Sequence, residues 1–156
     1  MGQFDFIEMK LPAKPEYVGV VRLTVSGIAN RMGFTYEEIE DLKVAISEAI
    51  TNTTTHAYDE DDGEVTIGFG IYPDRLEVMV ADRGDSFDFD EVKKHIGPYR
   101  QDERVENLRE GGFGLFLIDA LMDKVEISNE YGVIVLMTKN LPANEVKIDD
   151  EISAPQ

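Results

Sequence analysis

Two short runs of this sequence place apolar residues at every second position, two more strand-like runs follow later, and each pair is joined by a short turn. Val65, Ile67, Phe69 and Ile71 make the first run, and Leu76, Val78 and Val80 follow it across Pro73 and Asp74. The second pair covers 125–128 and 133–138, with a turn ending in Gly132. A period of two belongs to a half-buried strand, and a short turn can join only antiparallel neighbours. A mainly antiparallel sheet is therefore expected. Ile7, Met9 and Leu11, alternating with Glu8 and Lys10 and stopped by Pro12, read as one more strand.

The other apolar segments follow a helical period. One runs from about Glu16 to Met32, with Pro15 suited to a first turn and Gly33 to a stop. A second begins at Thr35, whose spacing to Glu38 is that of a capping box, while Phe34 and Ile39 are placed for a hydrophobic staple. Its stripe is Ile39, Leu42, Ile46, Ala49, Ile50, Thr53 and Ala57. A third covers 114–123. The order strand, two helices, hairpin, long loop, helix, hairpin implies a two-layer α/β sandwich: a mainly antiparallel sheet with helices on one face. With 156 residues, one domain over 1–141 is expected, followed by a flexible tail at 142–156.

Charge narrows the function. The formal net charge of -17 repels nucleic-acid phosphates and anionic lipid, so neither direct nucleic-acid binding nor membrane binding is expected. There is no cysteine, no basic leader and no run of about 18 apolar residues, a pattern compatible with a cytoplasmic protein.

Three stretches carry possible chemistry. In "SEAITNTTTHAY", Glu48, Asn52 and His56 recur every four residues, which sets them on one strip beside the apolar stripe. A glutamate there can take a proton from a hydroxyl, and an asparagine oxygen can complete an Mg²⁺ shell otherwise made of phosphate and water; a solvated helix flank is the plain alternative. In "VMVADRGD", Asp82 ends a strand ahead of Gly84, an arrangement that can accept a hydrogen bond from an exocyclic amine or simply turn the chain. In "EGGFGLFLI", Gly111, Gly112 and Gly114 lead into a helix, as either a phosphate cradle or a hinge.

Taken together, in this order, the three stretches resemble the boxes of the GHKL, or Bergerat-fold, ATPases. The segments "EDLKVAISEAITN", "VADRGDSFDFD", "LREGGFGLFLIDALMD" and "GVIVLMTK" are further similar to the RsbW family of serine-protein kinases and anti-sigma factors. The resemblance covers about Phe6 to Leu141. It implies ATP and Mg²⁺ as ligands, Glu48 as general base, Asn52 as Mg²⁺ ligand, Asp82 and Gly84 at the adenine, and Gly111, Gly112 and Gly114 at the phosphates. Arg109 near the phosphates and Thr138 near the adenine are weaker carry-overs. It also implies a lid at about 85–110 and two protein partners: a sigma-B-type sigma factor to sequester, and a STAS-fold anti-anti-sigma protein to phosphorylate on serine. A homodimer is implied on the same ground.

This chain departs from the family at Thr53–Thr55, where small apolar residues are usual, and at Asp85–Ser86, where a second glycine is common. Two rival readings remain at this level. A nucleotide-gated anti-sigma module would bind partners without kinase turnover, and a histidine-kinase fragment would need a phosphoacceptor helix pair, for which His56, inside the second helix pattern, is badly placed.

Overall fold

The structure, a computed structural model, describes residues 4–54, 63–82, 97–98, 112–128 and 133–142. Strand β1 (Asp5–Pro12) leads through a short 3-10 turn (Pro15–Tyr17) into helix α1 (Val18–Met32) and helix α2 (Tyr36–Thr54). The hairpin β2 (Glu64–Ile71) and β3 (Arg75–Ala81) comes next, then the two-residue strand β4 (Gly97–Pro98). Helix α3 (Gly112–Leu121) precedes β5 (Lys124–Ser128) and β6 (Ile134–Asn140). Together the strands form one sheet in the order β1-β2-β3-β6-β5-β4, and every pairing is antiparallel.

The expected α/β two-layer sandwich is present, and its local signals act as read. Gly33 ends α1 with φ 99°, in the left-handed region, and its N–H donates back to Ala29 and Asn30. At the start of α2, Thr35 N donates to Glu38 Oε1 at 2.8 Å, and Glu38 N donates to Thr35 Oγ1 at 3.2 Å. Phe34 and Ile39 are both buried beside this reciprocal cap, as a staple requires. Strand β4 falls in the charged stretch read from sequence as loop, since two paired residues leave no periodicity to detect.

One core lies between sheet and helices. Val21, Val25 and Ala29 of α1, Leu42, Ala45, Ile46 and Ala49 of α2, and Ile118 of α3 meet Ile67, Phe69, Val78, Val80 and Met137 of the sheet. Ala45 joins the α2 stripe that the sequence reading drew without it. Thr53 lies in α2, and Ala57 and His56 lie outside the described residues. No helix among the described residues is long and apolar enough to cross a membrane.

Strands β2, β3 and β6 are buried on both faces rather than half-buried, whereas β1 stays partly exposed. On the face turned away from the helices, Thr66, Met79 and Ala81 are 0% exposed, and Ile134 and Leu136 are buried with them. At one end of this outer face Phe4 stacks on Tyr72 at 4.5 Å, and the Arg75 guanidinium lies 3.8 Å above the Tyr72 ring. Arg75 also pairs with the buried Glu77 at 2.8 Å. Burial pulls the Arg75 pKa down, but the hydrogen bonds and charges of Glu77 and then Asp74 outweigh it and leave the pKa raised.

Candidate nucleotide site

Helix α2 carries the first group of candidates at the margin of its buried stripe. Ala45, Ile46, Ala49 and Ile50 face the core, whereas Glu48 and Asn52 are half-buried and Thr51 is exposed. The Asn52 amide Nδ2 donates to the Glu48 carbonyl oxygen at 3.0 Å. This bond ties the side chain one turn back along its own helix and uses the amide as donor, which leaves Oδ1 as the acceptor. A neutral oxygen held in this way suits Mg²⁺, which takes few protein ligands and keeps phosphates and water for the rest.

Asp82 follows the last residue of β3. Its N–H donates to the Val133 carbonyl at 3.2 Å, and Val133 N–H donates to Asp82 Oδ1 at 3.1 Å. The paired β6 backbone thereby orients the carboxylate at the mouth of the sheet, where it can accept from a donor on a bound ring.

The position of α3 follows from a lysine. Lys139 on β6 donates to the carbonyl of Leu121, at the end of α3, at 2.8 Å, and lies 3.6 Å from Asp41 near the start of α2. The end of α3 and the start of α2 therefore meet at one point, and the two packed helices run antiparallel away from it. At ~1.5 Å per residue, Gly112 lies ~14 Å along α3, and Glu48 and Asn52 lie ~11 and ~17 Å along α2. The N-terminus of α3 is thus level with the Glu48–Asn52 strip.

The sheet supplies the last relation. Ile50 lines the same small gap as Leu11, Val18, Val21 and Val65, and Val65 sits beside the register pair Thr66–Ala81. The C-terminal half of α2 therefore lies over the sheet end that presents Asp82. Carboxylate, amide oxygen, strand-end aspartate and a glycine-bearing helix N-terminus share one end of the domain. Free N–H groups at such a terminus, with Gly112 and Gly114 adding no side chains there, favour a phosphate.

Thr138 does not join them. It is buried on the outer face, paired with Glu77 in the sheet, and its carbonyl accepts from Asp123 N at 2.9 Å. Five residues of strand separate it from Val133, roughly 17 Å. Gly84, Arg109, Gly111 and the stretch 85–96 and 99–110 of the expected lid lie outside the described residues. Sequence reasoning passed over Val133 and Lys139, which hold the site without lining it. Lys139 had a readable signal, a charged residue at a strand position whose neighbours Val135 and Met137 face the core.

Known proteins resemble this chain along most of its length. Residues 11–139 match the family described as histidine kinase-like ATPase domain. Serine-protein kinase RsbW of Oceanobacillus iheyensis is 64% identical, over 97% of this chain and 96% of that protein. Serine-protein kinase RsbW of Bacillus subtilis is 58% identical, over 95% of this chain and 93% of that protein. A crystal structure of the RsbU and RsbW domains of a Mycobacterium tuberculosis protein shares the fold, with a TM-score of 0.57 at 19% identity, over 86% of this chain and 32% of that one. With the ATPase family matched along most of its length and relatives more than half identical from end to end, the chain belongs to the histidine kinase-like ATPase domain family and, within it, to the RsbW serine-protein kinases.

Proposed function

We propose that this protein is an ATP·Mg²⁺-dependent serine kinase that sequesters a sigma-B-type sigma factor and phosphorylates a serine of a STAS-fold anti-anti-sigma protein. It works in the cytoplasm as a homodimer. The observation that carries the reading is the shared level of Glu48, Asn52, Asp82 and the α3 N-terminus at one end of the domain, in a chain whose relatives are named serine-protein kinases.

Bound ATP supplies the phosphoryl group, and Mg²⁺ neutralises charge on its phosphates. The chain's own residues position the rest. Asp82 accepts from the adenine amine, with Gly84 leaving room for the ring. Asn52 Oδ1 offers one metal ligand. The N–H groups at Gly112 and Gly114 face the phosphates, with Gly111 and Arg109 just ahead of them. Glu48 receives the proton of the serine hydroxyl as that oxygen bonds to the γ-phosphorus and the bond to the β-phosphate oxygen breaks, releasing ADP. The lid is assigned to the stretches on either side of β4, 85–96 and 99–110, which lie outside the described residues.

The test is transfer of label from γ-labelled ATP with Mg²⁺ to a serine of a STAS-fold partner. Label should reach the partner with the wild-type chain and not with Glu48→Gln, while both bind ATP. ATP binding with no transfer by the wild type would instead favour a nucleotide-gated sequestering module.

A further inference from the structure

Strand β1 is an edge of the sheet: β2 pairs with it on one side, and no strand among the described residues lies on the other. It runs without a bulge, each residue opposite one residue of β2. The Ala13 N–H donates to the Gly63 carbonyl at 2.9 Å, one step beyond the Pro12–Glu64 pair, which fixes the alternation along the strand. Asp5, Ile7, Met9 and Leu11 therefore bond to β2, and Phe6, Glu8 and Lys10 turn their backbone groups to the other side. Pro12 falls in the second set, where β2 needs no donor from it. The side chains divide the same way: Met9 and Leu11 pack on the core beneath the helices, and Phe6, Glu8 and Lys10 belong to the outer face. At this edge Phe6 and Ile7 are 37% and 42% exposed, beside a backbone row of the kind that pairs with another strand.

We propose that a second copy of the chain takes this edge, β1 pairing antiparallel with its counterpart about a twofold axis at Met9; the inference rests on the homodimer of the proposed function and assigns its interface. A strand edge that meets itself about a twofold axis pairs antiparallel, so only the register has to be chosen. With the axis at Glu8 two carboxylates would face each other, and with the axis at Lys10 two ammonium groups would. With the axis at Ile7, Lys10 to Pro12 would find no strand residue opposite. With the axis at Met9, Glu8 faces the partner's Lys10 and Lys10 the partner's Glu8 on the outer face, while on the helix face Ile7 meets the partner's Leu11 and Met9 meets the partner's Met9. Each Glu8–Lys10 pair exchanges two N–H···O bonds, and each Phe6–Pro12 pair makes one, because proline has no N–H. This register brings opposite charges together in a chain whose net charge of -17 otherwise repels a copy of itself.

The sequence has no cysteine, so a single introduced thiol reports the register. Met9 faces its own copy as a non-hydrogen-bonded pair, with Cα atoms ~4.5 Å apart, within the span of a disulfide. Under mild oxidation Met9→Cys should form a disulfide-linked dimer at least about tenfold faster than Ile7→Cys or Leu11→Cys alone, whose thiols would lie ~13 Å from their copies. A mixture of those two chains should link one to the other. Charge reversal gives a readout without oxidation: Glu8→Lys should raise the dimer dissociation constant about tenfold in sedimentation equilibrium, and adding Lys10→Glu to the same chain should restore it. A dimer in which Met9→Cys links no faster than its neighbours, or in which the double variant is no tighter than Glu8→Lys, overturns this interface and leaves the homodimer of the proposed function standing. A wild-type chain that stays monomeric at every concentration overturns both.

Discussion

Glu48 and Asn52 are separable by experiment because their assigned roles differ. Glu48→Gln keeps size and hydrogen-bonding capacity but removes the base, so phosphoryl transfer should fall by roughly 10²- to 10⁴-fold with ATP affinity nearly unchanged, measured by single-turnover labelling and calorimetry. Asn52→Ala removes the Oδ1 acceptor and the bond to the Glu48 carbonyl. ATP should then bind about equally well with Mg²⁺ or with a chelator, whereas the wild type should bind more tightly with the metal. The role of Asn52 as a metal ligand fails if the variant keeps its Mg²⁺ dependence. These two side chains were readable in advance because four-residue spacing on a helix fixes a common strip whatever the rest of the chain does. Thr138 was not, because which face of a strand is used, and how far along it, depends on partners elsewhere in the sequence.

At the scale of elements, the turn between α1 and α2 and the clamp between α2 and α3 set the frame. Thr35→Ala removes one half of the capping box and should cost about 1 kcal/mol in urea unfolding. A Cβ at Gly33 would meet nothing within 4 Å, so Gly33→Ala should cost only the strain of its left-handed backbone, about 1–2 kcal/mol. A larger loss would mean that the turn makes contacts beyond its own backbone. Lys139→Met should destabilise by roughly 1–3 kcal/mol by leaving the Leu121 carbonyl without its donor. It should also weaken ATP binding, although Lys139 is placed at the opposite end of α2 from Glu48 and Asn52, because it fixes how far α3 is slid along α2. The cap and the stop glycine are local codes and were legible as such. The clamp joins residues 18 apart in one bond and nearly a hundred apart in the other, and no window of sequence contains it.

For the whole molecule, charge is the property that reaches furthest. A formal net charge of -17 should steer a basic sigma-factor surface toward the protein, so the association rate with sigma should fall steeply as salt rises while dissociation changes little. Stopped-flow mixing across a salt series tests this, and a flat association rate would remove electrostatic steering from the proposed function. The same scale holds the clearest difference between pattern and fold. Strands β2 and β3, whose alternation reads as half-buried, are buried on both faces, since alternation reports polarity and not what eventually lies over the polar side; Thr66, Glu77, Ser128 and Thr138 are polar residues enclosed by tertiary packing.

By itself the sequence determined every element but β4, the antiparallel hairpins, the helix caps and the strip that carries Glu48 and Asn52, because each is set by interactions within a few residues. Tertiary structure alone decided that β6 inserts beside β3, that Val133 orients Asp82, that α3 lies antiparallel to α2 with its N-terminus level with that strip, and that the outer face is covered. The physical reason is that these depend on pairing and burial between segments far apart in the chain, whose free energy exists only once the core has closed.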